Sequence, residues 1–168
     1  MVLTNDISDI LRGEADIAVR MARPTQAALV ARKIGMLRDS IYAHKDYLVR
    51  NDFLDTDHEA DMRKQTLVGF DHETPFITRI IQNFGIVRGD CAIRTDNDLA
   101  RLALIRAGVG IGLVPDCVAD RDSNLVRLSL KYSLMLELWL AMHEDQRGIA
   151  RIRAVFDMLA QGLKPIVR

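Results

Sequence analysis

The sequence predicts an α/β fold, and three observations carry that prediction. Short apolar runs of strand character alternate with capped, amphipathic segments along the 168 residues. Residues 90–115, DCAIRTDNDLARLALIRAGVGIGLVP, read as strand, capped helix, glycine turn and strand, a βαβ unit that requires a parallel sheet covered by helices. Residues 134–143, LMLELWLAMH, are mostly apolar and predict a strand buried on both faces.

The elements follow in order. Residues 1–3 read as the end of a strand, and Thr4, Asn5 and Asp6 as caps of a short helix with Ile7, Ile10 and Leu11 on its apolar face. Gly13 ends that helix and residues 15–21 form a second strand. After the loop at Pro24, residues 29–34 and 38–43 are two extended stretches, and residues 44–51 a short helix. Residues 53–64 are an acid-dense connection or helix in which Asp55, Asp57, Glu59 and Asp61 make a solvated face. Residues 66–70, TLVGF, are a strand, residues 71–75 a turn, and Pro75 opens a helix that runs to about Gly85. In the βαβ unit, residues 90–94 are a strand, and Thr95 stands three residues before Asp98 at capping-box spacing. Leu99, Leu102, Ala103 and Ile105 give the helix one apolar face, Gly108 stops it, and residues 109–114 form a buried strand ending at Pro115. Residues 125–128 are a strand, and residues 149–163 an amphipathic helix built on Ile149, Ile152, Val155, Phe156, Leu159 and Leu163.

Several function classes are excluded or disfavoured. Gly108, Gly110 and Gly112 superficially resemble a nucleotide fingerprint, but they close a helix and open a strand, the reverse of the order a dinucleotide site needs. No nicotinamide or flavin site follows, and no cofactor is expected. With 23 Lys and Arg against 23 Asp and Glu, the chain has no basic surplus of the kind nucleic-acid binders show. Cys91 and Cys117 lack CxxC spacing and fall in packed elements, which implies a reduced pair and a cytoplasmic protein. No apolar run has membrane length, and the N-terminus lacks the pattern of a signal peptide. His44, His58, His72 and His143 form no HExxH or cysteine–histidine cluster, so no metal site is expected. There is no GxSxG elbow and neither cysteine has an evident base, so no catalytic residue is assigned.

The segments GEADIAVRM, RPTQAALVARKIG, YAHKDYL, RAGVGIGLVP and ELWLAMHED…RIRAVFDML, in this order, resemble the C-terminal effector-binding domain of LysR-type transcriptional regulators over nearly the whole chain. That resemblance implies a periplasmic-binding-protein-like (type II) fold, with two Rossmann-like α/β lobes joined by two crossover strands near residues 36–43 and 133–143. Lobe one would comprise residues 1–41 plus 134–168, and lobe two residues 42–133. Lobe one would be incomplete at its start, and the family's helix-turn-helix and linker helix would lie outside this chain.

The resemblance also implies a small-molecule effector, held by polar loop residues at strand ends in the cleft between lobes. The counterparts are Thr4, Asn5 and Arg20 in lobe one, and Asp71, Thr74, Arg94, Thr95 and Asn97 in lobe two. For Thr4, Asn5 and Thr95 the alternative is plain helix capping, which is compatible with ligand contact. Arg20 and Arg94 suit a carboxylate by two-pronged geometry, or are surface arginines bridging nearby acids. Asp71, Glu73 and Asp96 oppose an anion and leave the effector's charge open. The expected function is an effector-sensing domain that modulates DNA binding by a helix-turn-helix domain absent from the chain and works as a homodimer or higher homo-oligomer. The alternative is a stand-alone small-molecule-binding protein, or a dominant-negative dimer partner without DNA-binding activity.

Overall fold

The computed structural model describes residues 15–53, 62–72, 77–78, 82, 84–128 and 133–167. In chain order the elements are β1 (Ile17–Arg20), β2 (Leu29–His44), α1 (Lys45–Arg50), β3 (Val68–Gly69), β4 (Ile93–Arg94), α2 (Asp98–Arg106), β5 (Gly112–Pro115), α3 (Asp116–Ala119), β6 (Leu125–Arg127), β7 (Ser133–His143) and α4 (Ala150–Gly162). Single 3-10 turns, Met62–Lys64 and Arg88–Asp90 among them, punctuate the loops. The chain divides into two compact units: Met1–Leu37 with Met135–Arg168, and Arg38–Leu134.

In the first unit β1 pairs antiparallel with β7, Ile17 opposite Met142 and Arg20 opposite Trp139. Alternation along β7 turns Leu136, Leu138, Leu140 and Met142 inward. Helix α4 covers Leu140 and Met142 with Ile152, Phe156 and Ala160, spaced by four so that they share one stripe. The expectation that β7 is buried on both faces is corrected: Met135 is exposed, and Glu137 and Trp139 are half-buried. The physical reason is polar pairing on that face. Glu137 accepts hydrogen bonds from Lys33 Nζ at 2.6 Å and Trp139 Nε1 at 2.9 Å, and the Arg23 guanidinium lies 5.5 Å from the Trp139 ring centroid.

In the second unit the C-terminal half of β2 pairs antiparallel with β5, Tyr42 opposite Gly112, and with β6, His44 opposite Leu125. Beside them β3 pairs parallel with β4, and Leu67 bridges Ile111 in parallel on the other side. The βαβ unit thus straddles β3, with α2 crossing over it. Ile105, wholly buried, anchors α2 among Tyr42, Val68, Val114, Ala119 and Leu125. Gly108 ends α2 in the left-handed region at φ 67°, where a side chain is disfavoured. A Cβ on Gly110 would overlap the Thr66 carbonyl, so the strand approach requires that glycine.

Three local expectations are corrected. Residues 29–44 form one continuous strand instead of two stretches, because Gly35 stays in the sheet. The N-cap of α2 is Asn97, whose Oδ1 accepts from Ala100 N at 3.0 Å; Thr95 lies outside the helix and caps the loop, its Oγ1 accepting from Asn97 N at 3.2 Å. Leu99 is 58% exposed while Arg101 is only 7% exposed. The Arg101 guanidinium stacks 4.2 Å from the Phe70 centroid and pairs with Asp98 at 2.7 Å, which lets a charged residue take an inward position. Cys91 is a buried free thiol and Cys117 a half-buried one.

The strand and helix expected at residues 1–13, and most of the helix expected between Pro75 and Gly85, lie outside the described residues.

Candidate functional site

Parallel strands β3 and β4 end together, one residue before Phe70 and Thr95, and α2 starts three residues later. The backbone fixes this corner: Thr95 N donates to Gly69 O at 3.0 Å and Ile93 N to Leu67 O at 3.2 Å. In α/β sheets such strand ends beside a helix N-terminus are where small molecules bind.

Asp96 organises the corner. Its Oδ1 accepts the backbone N–H groups of Asp71 and His72, each at 3.0 Å, and its Oδ2 pairs with His72 Nδ1. The hydrogen bond from His72 holds the Asp96 carboxyl below the usual carboxylate range, and the same bond raises the imidazole above its ordinary value. Asp71 Oδ1 accepts from Arg88 Nη2 at 2.7 Å and has Arg94 Nε at 3.6 Å, while Arg88 Nε donates to the Asp71 carbonyl at 2.6 Å. The result is a half-exposed patch of alternating charge on which donors and acceptors are fixed by the fold.

Of the residues expected from sequence, Asp71, Arg94, Thr95 and Asn97 come together here, and Arg94 is tied to an acid rather than free to receive one. Arg20 ends β1 in the other unit, at the register position opposite Trp139. Thr4, Asn5 and Thr74 lie outside the described residues. Asp96, expected here as an acid opposing an anion, ties the corner together, and His72 and Arg88, outside the expected contact set, complete it. His72 and Arg88 find their partners Asp96 and Asp71 at 24 and 17 positions along the chain, which the β3–β4 register brings near.

A second polar cluster lies buried between β2, α2 and α3. Asp116 accepts from Arg38 Nε and, at 3.0 Å, from the Tyr42 hydroxyl, with Arg127 Nη1 at 3.5 Å. Burial works against ionisation of Asp116, yet hydrogen bonds from Ser40, Arg38 and Tyr42 hold it below the usual range. Nearby, Asp39 Oδ1 and Arg101 Nε and Nη1 are buried without a partner among the described residues. Burial, with Asp116 and Asp98 adding to it and Arg101 opposing it, pushes the Asp39 carboxyl up to about 7. No sequence signal marks this cluster, since Asp39 and Arg101 each look like ordinary solvated charges.

Comparison with known proteins decides the family. The model of the LysR substrate binding domain matches residues 2–164. The chain belongs to the LysR substrate-binding-domain family. Its α/β fold is accordingly periplasmic-binding-protein-like, type II. An HTH-type transcriptional regulator of Xanthomonas campestris pv. campestris (strain 8004) is 42% identical over 50 residues, which are 30% of this chain and 14% of that protein. The regulatory domain of CrgA, a LysR-type transcriptional regulator from Neisseria meningitidis, superposes with a TM-score of 0.78 at 17% identity, covering 95% of this chain and 81% of that one. Full-length LysG from Corynebacterium glutamicum with bound effector Arg superposes with a TM-score of 0.62 at 18% identity, covering 92% and 54%. At these identities the two structures show the shared fold. Among the described residues no helix of this LysR-family domain is long and apolar enough to cross a membrane.

Proposed function

We propose that this chain is the sensor of a LysR-type regulator and that a small organic metabolite binds at the strand-end corner described above. The observation that carries the reading is the convergence of Asp71, Arg94, Thr95 and Asn97 at the ends of β3 and β4 beside α2. The family match supports it further. Thr95 Oγ1 and the first amides of α2 supply hydrogen-bonding groups, and Arg94 and Asp71 supply charge of both signs. Thr74 of lobe two and Thr4, Asn5 and Arg20 of lobe one complete the proposed contact set. The domain works as a receptor and not as a catalyst, in the cytoplasm, as a homodimer or higher homo-oligomer. It acts on DNA through a helix-turn-helix domain not in this chain. Coupling requires only that the effector bind one arrangement of the domain better than another, typically by about 1–3 kcal/mol.

A thermal-shift screen against amino acids, small organic acids and aromatic metabolites identifies the effector. Saturation at about 100 times Kd stabilises the native state by about 2.7 kcal/mol. Calorimetry with that effector on Thr95→Trp then tests the site. Loss of binding with an unchanged melting temperature is expected, and unchanged affinity overturns the assignment.

A further inference from the structure

The corner that Asp96 organises has a second feature, which shares Asp71 with the proposed effector contacts. Asp71, His72 and Asp96 each bring one donor atom into a common space, an imidazole nitrogen and two carboxylate oxygens within 4.8 Å of one another. We propose that this triad binds a divalent transition-metal ion of the zinc class.

The donor set argues for that class. One imidazole and two carboxylates suit zinc, cobalt or nickel, whereas the all-oxygen shells of calcium and magnesium leave no place for the histidine. Three protein ligands with water in a fourth position make an open tetrahedral site.

The corner also has its supporting contacts in place. Two backbone amides hold Asp96 Oδ1, which fixes the direction of Oδ2. Arg88 engages Asp71 Oδ1 and leaves Oδ2 outside that ion pair. Metal-binding carboxylates are ordinarily steered in this way by outer hydrogen bonds. The fold places two carboxylates side by side, an arrangement that costs energy unless positive charge compensates it. Arg88, Arg94 and His72 supply part of that charge, and a dication at the centre supplies it more completely by replacing the His72–Asp96 bond. The His72 side chain is 81% exposed, so an ion reaches the site without any opening of the structure. The histidine pairs elsewhere differ: His44 with Asp46 and His143 with Asp145 are two-membered.

Titration calorimetry of the chain with zinc chloride, together with the visible absorption of added cobalt(II), tests the proposal. One zinc per chain is expected, with an intense low-coordination cobalt spectrum. Affinity falls about tenfold or more in His72→Gln and in Asp71→Asn, and is unchanged in His143→Gln. His72 is a surface side chain, so its variant keeps the wild-type melting temperature, and a loss of binding there reports the site rather than the fold. Absence of zinc uptake up to roughly millimolar metal, or equal affinity in wild type and His72→Gln, overturns the proposal. Effector binding is read separately, with Thr95→Trp, so that failure of one proposal is distinguished from failure of the other.

Discussion

Replacing Asp39 by Asn removes a buried carboxyl that the fold keeps protonated near neutrality. Asp39 is 7% exposed, and its pKa is raised from 3.8 to about 7 by burial, with Arg101 opposing and Asp116 and Asp98 adding to the rise. A carboxyl with a raised folded pKa stabilises fully below its unfolded value and loses that contribution as pH rises to the folded one. The window is therefore from 3.8 to about 7. At 1.36 kcal/mol per unit, the full loss is on the order of 4 kcal/mol, a large part of a typical domain's stability. Asn keeps the shape and an acceptor oxygen but does not ionise. Urea unfolding followed by Trp139 fluorescence between about pH 5 and about pH 8 reads the difference. The stability of Asp39→Asn relative to wild type should climb by roughly 1.4 kcal/mol per pH unit up to about pH 7 and then level off. A difference that stays flat across that range would refute the reasoning, because Asp39 would then titrate alike in both states.

Gly110→Ala should cost at least about 2 kcal/mol in urea unfolding, since the new methyl meets the rigid Thr66 carbonyl rather than a side chain that can rotate away. A neutral result would mean that β5 stands further from β3 than the structure shows. Asn97→Ala should cost about 1 kcal/mol by removing the cap of α2, and Asn97→Ser should restore most of it. Equal melting temperatures of Asn97→Ala and wild type would return the capping role to Thr95.

Helices α1, α2 and α4 and the parallel unit were legible because their signals are local. Ile152 and Phe156 of the expected α4 stripe are buried as expected, although Ile149 and Val155 of that stripe are exposed, and the glycines of residues 108–112 state their role within one strand. Leu99 and Arg101 show where locality fails. Periodicity takes leucine for core and arginine for surface, but Arg101 has Phe70 to stack on and Asp98 to pair with, and neither partner follows from helix spacing. The candidate site divides in the same way. The family resemblance implied Asp71, Arg94, Thr95 and Asn97, with Asp96 beside them, while His72 and Arg88 are recruited by the alignment of β3 with β4. Thr95 and Asn97 exchanged roles because both are good caps and the helix starts two residues later than the capping-box spacing implies.

The pairing of β1 with β7 has a consequence for how the chain is made. Ile17 finds its strand partner at Met142, 125 positions later, and β7 is the only neighbour of β1 in the described sheet. During synthesis at about 5–20 residues per second, β1 waits roughly 6–25 s before its hydrogen-bonding partner exists. Through that interval Ile17 and Val19 lie on an unpaired apolar strand, the kind of edge that chaperones hold and that neighbouring nascent chains join. This strand is thus made long before it is secured, so its longest exposure to other chains falls during synthesis.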